Sequence, residues 1–151
     1  MFPFSKKKQF FTEEEKKLIV ESVQQAERRT SGEIRVFVES RCKYMDAIDR
    51  AAEIFFGLKM EQTADRNAVL LYVAMKDRQL AVFADEGIHK RLGQQYWNNE
   101  IKKLVSNFNR DDYAAGIRQS VTAIGEALYS NFPFDNKTDK NELPDDIVFG
   151  N

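Results

Sequence analysis

Residues 68–75 read Ala-Val-Leu-Leu-Tyr-Val-Ala-Met, a run without a charge. Its brevity and its β-branched and aromatic content suit a strand. Apolar residues at nearly every position mean that both faces are covered, as in the centre of a sheet between helical layers. Three polar residues, Lys76-Asp77-Arg78, lead into Gln79–Ala84, a second strand. A connection that short forces an antiparallel hairpin.

Upstream, Glu33 to Glu39 reads Glu-Ile-Arg-Val-Phe-Val-Glu. Ile34, Val36 and Val38 share one face, and Phe37 asks for some cover on the other. Asp46 stands where it can cap a helix carrying Ile48, Ala52, Phe55 and Leu58. Strand, helix and strand make a β-α-β unit, so its two strands run parallel with a right-handed crossover.

Helices account for most of the rest. Thr12 and Glu15 form a capping box before Leu18, Ile19, Val23 and Ala26 at helical spacing. A short helical turn is expected near Ile88 to Leu92. A longer helix carries Trp97, Ile101, Leu104, Val105 and Phe108. Asp111 or Asp112 caps a last one with Tyr113, Ile117, Val121, Ile124 and Leu128 on its stripe, closed by Pro133. The fold class is therefore α/β, a three-layer α/β/α sandwich with a small mixed sheet.

The 151 residues fit one domain with appendages. Residues 1–11 read as an N-terminal arm whose Phe10 and Phe11 can fold back, and residues 12–133 as the domain. Residues 134–151 read as an acidic tail expected to be disordered. Its Ile147-Val148-Phe149 cluster is a candidate docking patch for this chain or a protein partner, although fraying suits so short a cluster better. The formal net charge is −1, and the densest basic run, Lys6-Lys7-Lys8, lies in the arm, so no nucleic-acid partner is expected. The N-terminus does not read as a secretory signal, and no window approaches 18 apolar residues. A cytoplasmic monomer without membrane insertion is the expectation.

Several chemistries lose support. The only cysteine is Cys42 and the only histidine His89, so neither an intrachain disulfide nor a Cys/His zinc site is possible. No phosphate-cradling glycine loop or nucleophile elbow occurs. Oxygen chemistry remains, and the strand directions gather its groups at two sheet edges. The edge where the parallel strands begin collects Glu33, Asp65, Arg66, Asn67, Asp85 and Glu86. The loop Asn109-Arg110-Asp111-Asp112 is expected to reach it. Clustered carboxylates there suit Ca²⁺ or Mg²⁺, with Glu33, Asp85, Glu86, Asp111 and Asp112 as ligands and Arg66 and Asn67 facing a substrate. The same residues also read as helix caps and an Arg66 ion pair with Glu33 or Asp85. The opposite edge holds Glu39, Lys76, Asp77 and Arg78. It is the edge where open α/β sheets usually bind ligands, and so the alternative site.

The order of segments resembles a known family. Thr30-Ser31-Gly32-Glu33-Ile34-Arg35-Val36 matches its entry to the first strand, and Arg66–Ala74 its second strand. Ala84-Asp85-Glu86-Gly87-Ile88 and Phe108 with Asp112-Tyr113-Ala114-Ala115-Gly116-Ile117 match its later segments. The chain is similar over residues 12–132 to the TPM domain, named for a thylakoid lumen protein, a photosystem repair protein and a nematode receptor modulator. The resemblance implies an α/β/α sandwich and divalent-metal binding. Two expectations follow: a non-enzymatic, regulatory or stress-related role or, alternatively, the acid phosphatase activity that the resemblance implies from plant members, which with no nucleophile in the sequence would run through metal-activated water.

Overall fold

A computed structural model describes residues 10–108, 112–134 and 147–150. Its elements are α1 (Glu13–Glu27), β1 (Glu33–Glu39), α2 (Ala47–Gly57), β2 (Ala68–Ala74) and β3 (Gln79–Ala84). They continue with α3 (Glu86–Leu92), α4 (Gln94–Phe108), α5 (Tyr113–Asn131) and β4 (Val148–Phe149). The sheet order is β3-β2-β1-β4. β1 and β2 are parallel from Glu33↔Ala68 to Glu39↔Ala74, and β3 returns antiparallel beside β2.

Every residue of β2 is buried. Alternation along the strands sends Ile34, Val36, Val38, Val69, Leu71 and Val73 to a core shared with α1, α4 and α5. Phe37, Leu70, Tyr72 and Ala81 face α2 with Ala51, Ile54 and Phe55. The result is the expected α/β/α sandwich, with α1, α3, α4 and α5 on one face and α2 on the other. Thr12 and Glu15 close the capping box of α1. Phe11 is buried in the core, as the sequence allowed.

Three details differ from the sequence expectation. Asp46 stands at the N-cap of α2 with extended backbone, but its side chain makes no capping bond. Val105 is exposed, so the buried stripe of α4 is narrower than its apolar spacing implies. Val148 and Phe149 do not fray: they pair in parallel with Phe37 and Val38, and the Gly150 amide donates to the Val38 carbonyl at 2.7 Å. A two-residue strand has too little periodicity to be read from sequence. It forms because the outer edge of β1 offers unfilled backbone partners. Lys6–Lys8, Asp111 and residues 135–146 of the tail lie outside the described residues. Among the described residues, no helix is long and apolar enough to cross a membrane.

Candidate functional site

The edge where β1 and β2 begin is held by an ionic clasp. Arg66, in a left-handed conformation (φ 51°), precedes β2. Its Nε and Nη2 donate to Asp85 Oδ2 and Oδ1 at 2.7 and 2.8 Å. Its Nη1 meets Glu86 Oε1 at 2.8 Å. Asp85 is buried, caps α3, and accepts from the Glu86 amide at 2.8 Å. The hydrogen bond to Asp85 raises the Arg66 pKa. The close approach of α3 depends on Gly87, whose amide donates to the Arg66 carbonyl at 2.8 Å. A Cβ there would lie 2.1 Å from the Asp65 carbonyl oxygen.

Of the two open readings, ion pair and caps describe this edge. Asp85 pairs with Arg66, and its carboxylate is filled by three donors. Asn67 is fully buried, its Nδ2 donating to Ser31 Oγ at 3.2 Å. Glu33 is buried beside it, its amide donating to the Asn67 carbonyl at 3.4 Å. Asp112 does not reach this edge, contrary to expectation. It caps α5, and the far end of α5 is what packs here: Thr30 and Ser31 donate to the Phe132 carbonyl, as Arg91 does to that of Asn131. The 19 residues of α5 span about 28 Å at the ordinary helical rise, which separates Asp112 from Asp85. The sequence reading miscounted the passes: α3 stays at the edge where β3 ends, so α4 starts there and a single pass carries the chain to the other side.

The opposite edge is built differently. Glu39 ends β1 and is buried on the α2 face. Arg50, from the first turns of α2, grips it with Nε to Oε2 at 2.9 Å and Nη2 to Oε1 at 3.0 Å. The remaining Arg50 nitrogen bonds Glu53. From β2, the Tyr72 hydroxyl donates to Glu39 Oε2. Burial and this hydrogen bond push the Tyr72 pKa up, and the Glu39 bond raises that of Arg50. Asp77 ties the outgoing loop down: its Oδ2 accepts from the Cys42 amide at 2.8 Å, and its Oδ1 lies 3.6 Å from Arg41 Nη1. Arg78 stands at the hairpin tip, left-handed at φ 53°.

Above this network opens a cleft of about 600 Å³, walled by residues 39–41 and 43–45, Arg50, Glu53 and Lys76. Tyr44, also left-handed at φ 69°, is 99% exposed at its mouth. The structure thus brings Glu39 and Asp77 of the alternative site to one edge and adds Arg41, Lys43, Tyr44 and Arg50, which the sequence reading did not place there. A signal for Arg50 existed. The helix of a right-handed crossover begins above the carboxyl end of its first strand, so its first turns face Glu39.

The comparisons with known proteins match this architecture. The TPM domain description fits residues 5–127. The chain belongs to the TPM domain family. The BA42 protein of the psychrophilic bacterium Bizionia argentinensis is 35% identical, with a TM-score of 0.88 over 97% of this chain and 100% of that one. The N-terminal domain of a P. gingivalis protein shares 17% identity at a TM-score of 0.66, covering 81% of this TPM domain chain and 78% of its own. The N-terminal domain of the cg2496 protein of Corynebacterium glutamicum shares 10% at 0.63, over 79% and 74%. The last two share the fold. No functionally curated protein matches the chain significantly.

The family resemblance implies a divalent ion, but the carboxylates at both edges already have partners. Asp85 and Glu86 are engaged by Arg66, Glu39 and Glu53 by Arg50, and Asp77 by a backbone amide and Arg41. Among the described residues, no three Asp, Glu, His or Cys are grouped so as to hold an ion. An ion at either edge would first have to displace a guanidinium. The described residues as arranged do not fit a resident Ca²⁺ or Mg²⁺.

Proposed function

We propose that this TPM domain is a non-enzymatic binding module whose carboxyl-edge cleft receives a small anion, with a phosphate group as the best fit. The observation behind this reading is the cleft's charge balance. Glu39 and Glu53 share Arg50, and Asp77 is held by the Cys42 amide and lies near Arg41. Lys43 and Lys76 line the cleft, and neither has an ion-pair partner among the described residues. The three acids and two arginines of the floor leave one negative charge, and the two ammonium groups turn the sum to +1, which favours an anion over a cation. The guanidinium of Arg41 stands near enough to add planar, two-point recognition.

Titration of the ¹⁵N-labelled protein with inorganic phosphate, and then with p-nitrophenyl phosphate, tests this. Saturable shifts at Ser40–Met45 and Lys76 are expected, weakening as salt rises and the charges are screened. Lys43→Ala with Lys76→Ala should cost about 1–2 kcal/mol of binding, as for two exposed charge-assisted contacts. Shifts confined to Arg66, Asp85 and Glu86, or produced by Ca²⁺ alone, would move the site and reverse the sign of its ligand. Release of p-nitrophenol abolished by the double substitution would make the cleft catalytic.

A further inference from the structure

We propose that residues 147–150 form a regulatory strap: docked on β1, they tighten the hold of Glu39 on Arg50 and thereby weaken anion binding in the carboxyl-edge cleft. The effect on the anion rests on the function proposed above, and the effect on Arg50 stands without it.

The strap ends against the floor of the cleft. Beyond Val148 and Phe149, which pair with Phe37 and Val38, the Gly150 amide donates to the Val38 carbonyl at 2.7 Å. This lays the Gly150 backbone against the next residue of β1, Glu39. A Cβ on Gly150 would lie 2.9 Å from both Glu39 Cβ and Glu39 Oε1. That oxygen is the one that accepts from Arg50 Nη2 at 3.0 Å, and Arg50 lines the cleft. A single carboxylate therefore contacts both the strap and the guanidinium of the cleft.

The direction of the coupling follows from hydration. The Glu39 side chain is 5% exposed. Attraction between opposite charges strengthens as water is excluded from them. With the strap docked, Glu39 takes Arg50 Nε and Nη2 and Glu53 takes Nη1, so each nitrogen of the guanidinium is committed to a carboxylate. Undocking lets water reach Glu39 and loosens that grip. Arg50 is then free to turn toward an anion, which it can meet with two parallel bonds.

The strap is weakly held. β4 is two residues long and lies at the border of the sheet, and Phe149 is 42% exposed. Ile147 packs against the core shared with α1, and Val148 against the α2 side, both only partly buried. Short edge segments with few buried contacts open while the rest of a fold stays closed.

Comparison of the full-length protein with a chain ending at residue 146, checked for a native amide spectrum, tests the proposal. Arg50→Ala should lower the urea midpoint less in the shortened chain, by about one third, because Glu39 is already hydrated there. Inorganic phosphate, followed at the Lys43 and Lys76 amides, should bind the shortened chain roughly fivefold more tightly. Linkage is reciprocal, so saturating phosphate should speed exchange of the Gly150 amide in the full-length protein by about the same factor. Gly150→Val pushes the strap off Glu39 without moving a charge and should match the shortened chain. Equal midpoint losses from Arg50→Ala in the two chains overturn the proposal, and so does phosphate that binds the shortened chain no more tightly than the full one. Phosphate that shifts neither chain, with unequal midpoint losses, refutes the anion reading and upholds the grip of the strap on Arg50.

Discussion

Replacing Arg50 by alanine tests whether the carboxyl-edge network is a charge balance or only a set of contacts. Arg50→Ala removes two bonds of 2.9 and 3.0 Å from Glu39 and leaves that buried carboxylate with the Tyr72 hydroxyl alone. Stranding one member of a buried ion pair costs about 3–5 kcal/mol. The Arg50 side chain is 30% exposed, so water entering the cleft replaces part of what is lost. The lower end, about 3 kcal/mol, is therefore expected. For a chain of this size that corresponds to a Tm lowered by roughly 6–12 °C. The decisive comparison is the double variant. Glu39→Gln removes the charge, and its amide oxygen still accepts from Tyr72. Arg50→Ala with Glu39→Gln should then cost only about 1 kcal/mol, the usual net worth of a lost hydrogen bond. The second substitution would thus restore about 2 kcal/mol. Urea unfolding followed by far-ultraviolet circular dichroism measures all three variants. If Glu39→Gln adds to the damage of Arg50→Ala, no stranded charge is at issue and the reasoning fails.

Gly87→Ala should destabilise by about 3 kcal/mol, because the new Cβ meets backbone oxygens at 2.1 and 2.6 Å. Gly32→Ala, whose Cβ meets only Leu128 methyl ends at 2.7 and 2.9 Å, should cost about 1 kcal/mol in the same denaturation assay. Tyr72 has its folded pKa raised above the unfolded value of about 10, so the folded state holds the proton more tightly. Its contribution is full below about pH 10 and is lost above it; urea midpoints should fall between roughly pH 9.5 and 11, less steeply in Tyr72→Phe. A chain ending at residue 146 loses the β1–β4 pairing and should be about 1–2 kcal/mol less stable with an otherwise unchanged amide spectrum.

The strands were legible because their signals are local. Glu33–Glu39 and Gln79–Ala84 are bounded in the structure where the sequence bounds them, by β-branched alternation on one side and turn residues on the other. The parallel and antiparallel pairings followed from connection length alone. Asp112 was misplaced because its position depends on how many times the chain crosses the sheet. The sequence separates the short turn near Ile88 to Leu92 from the long helix after it, but not the edge from which the long helix sets out, which depends on the backbone angle at Gly93, φ 83°. The partners of Glu39 needed register as well. Tyr72 lies opposite Phe37, and this places its hydroxyl toward the end of β1.

Carboxylates clustered by topology are not yet a cation site, because the same topology gathers their counterions. At the edge where β1 and β2 begin, Arg66 stands two residues before β2 and Asp85 immediately follows β3, so the hairpin that brings the acid also delivers the base. At the opposite edge the crossover from β1 to α2 does the same for Glu39 and Arg50. Each pairing occupies the carboxylate oxygens that made the edge look metallophilic and offsets part of their charge, and it raises the pKa of the arginine that does so. What distinguishes the two edges is the remainder. The first keeps a filled clasp with α3 packed down by Gly87, and the second keeps two lysines over an open cleft. The sign of the ligand follows from those lysines and not from the number of acids.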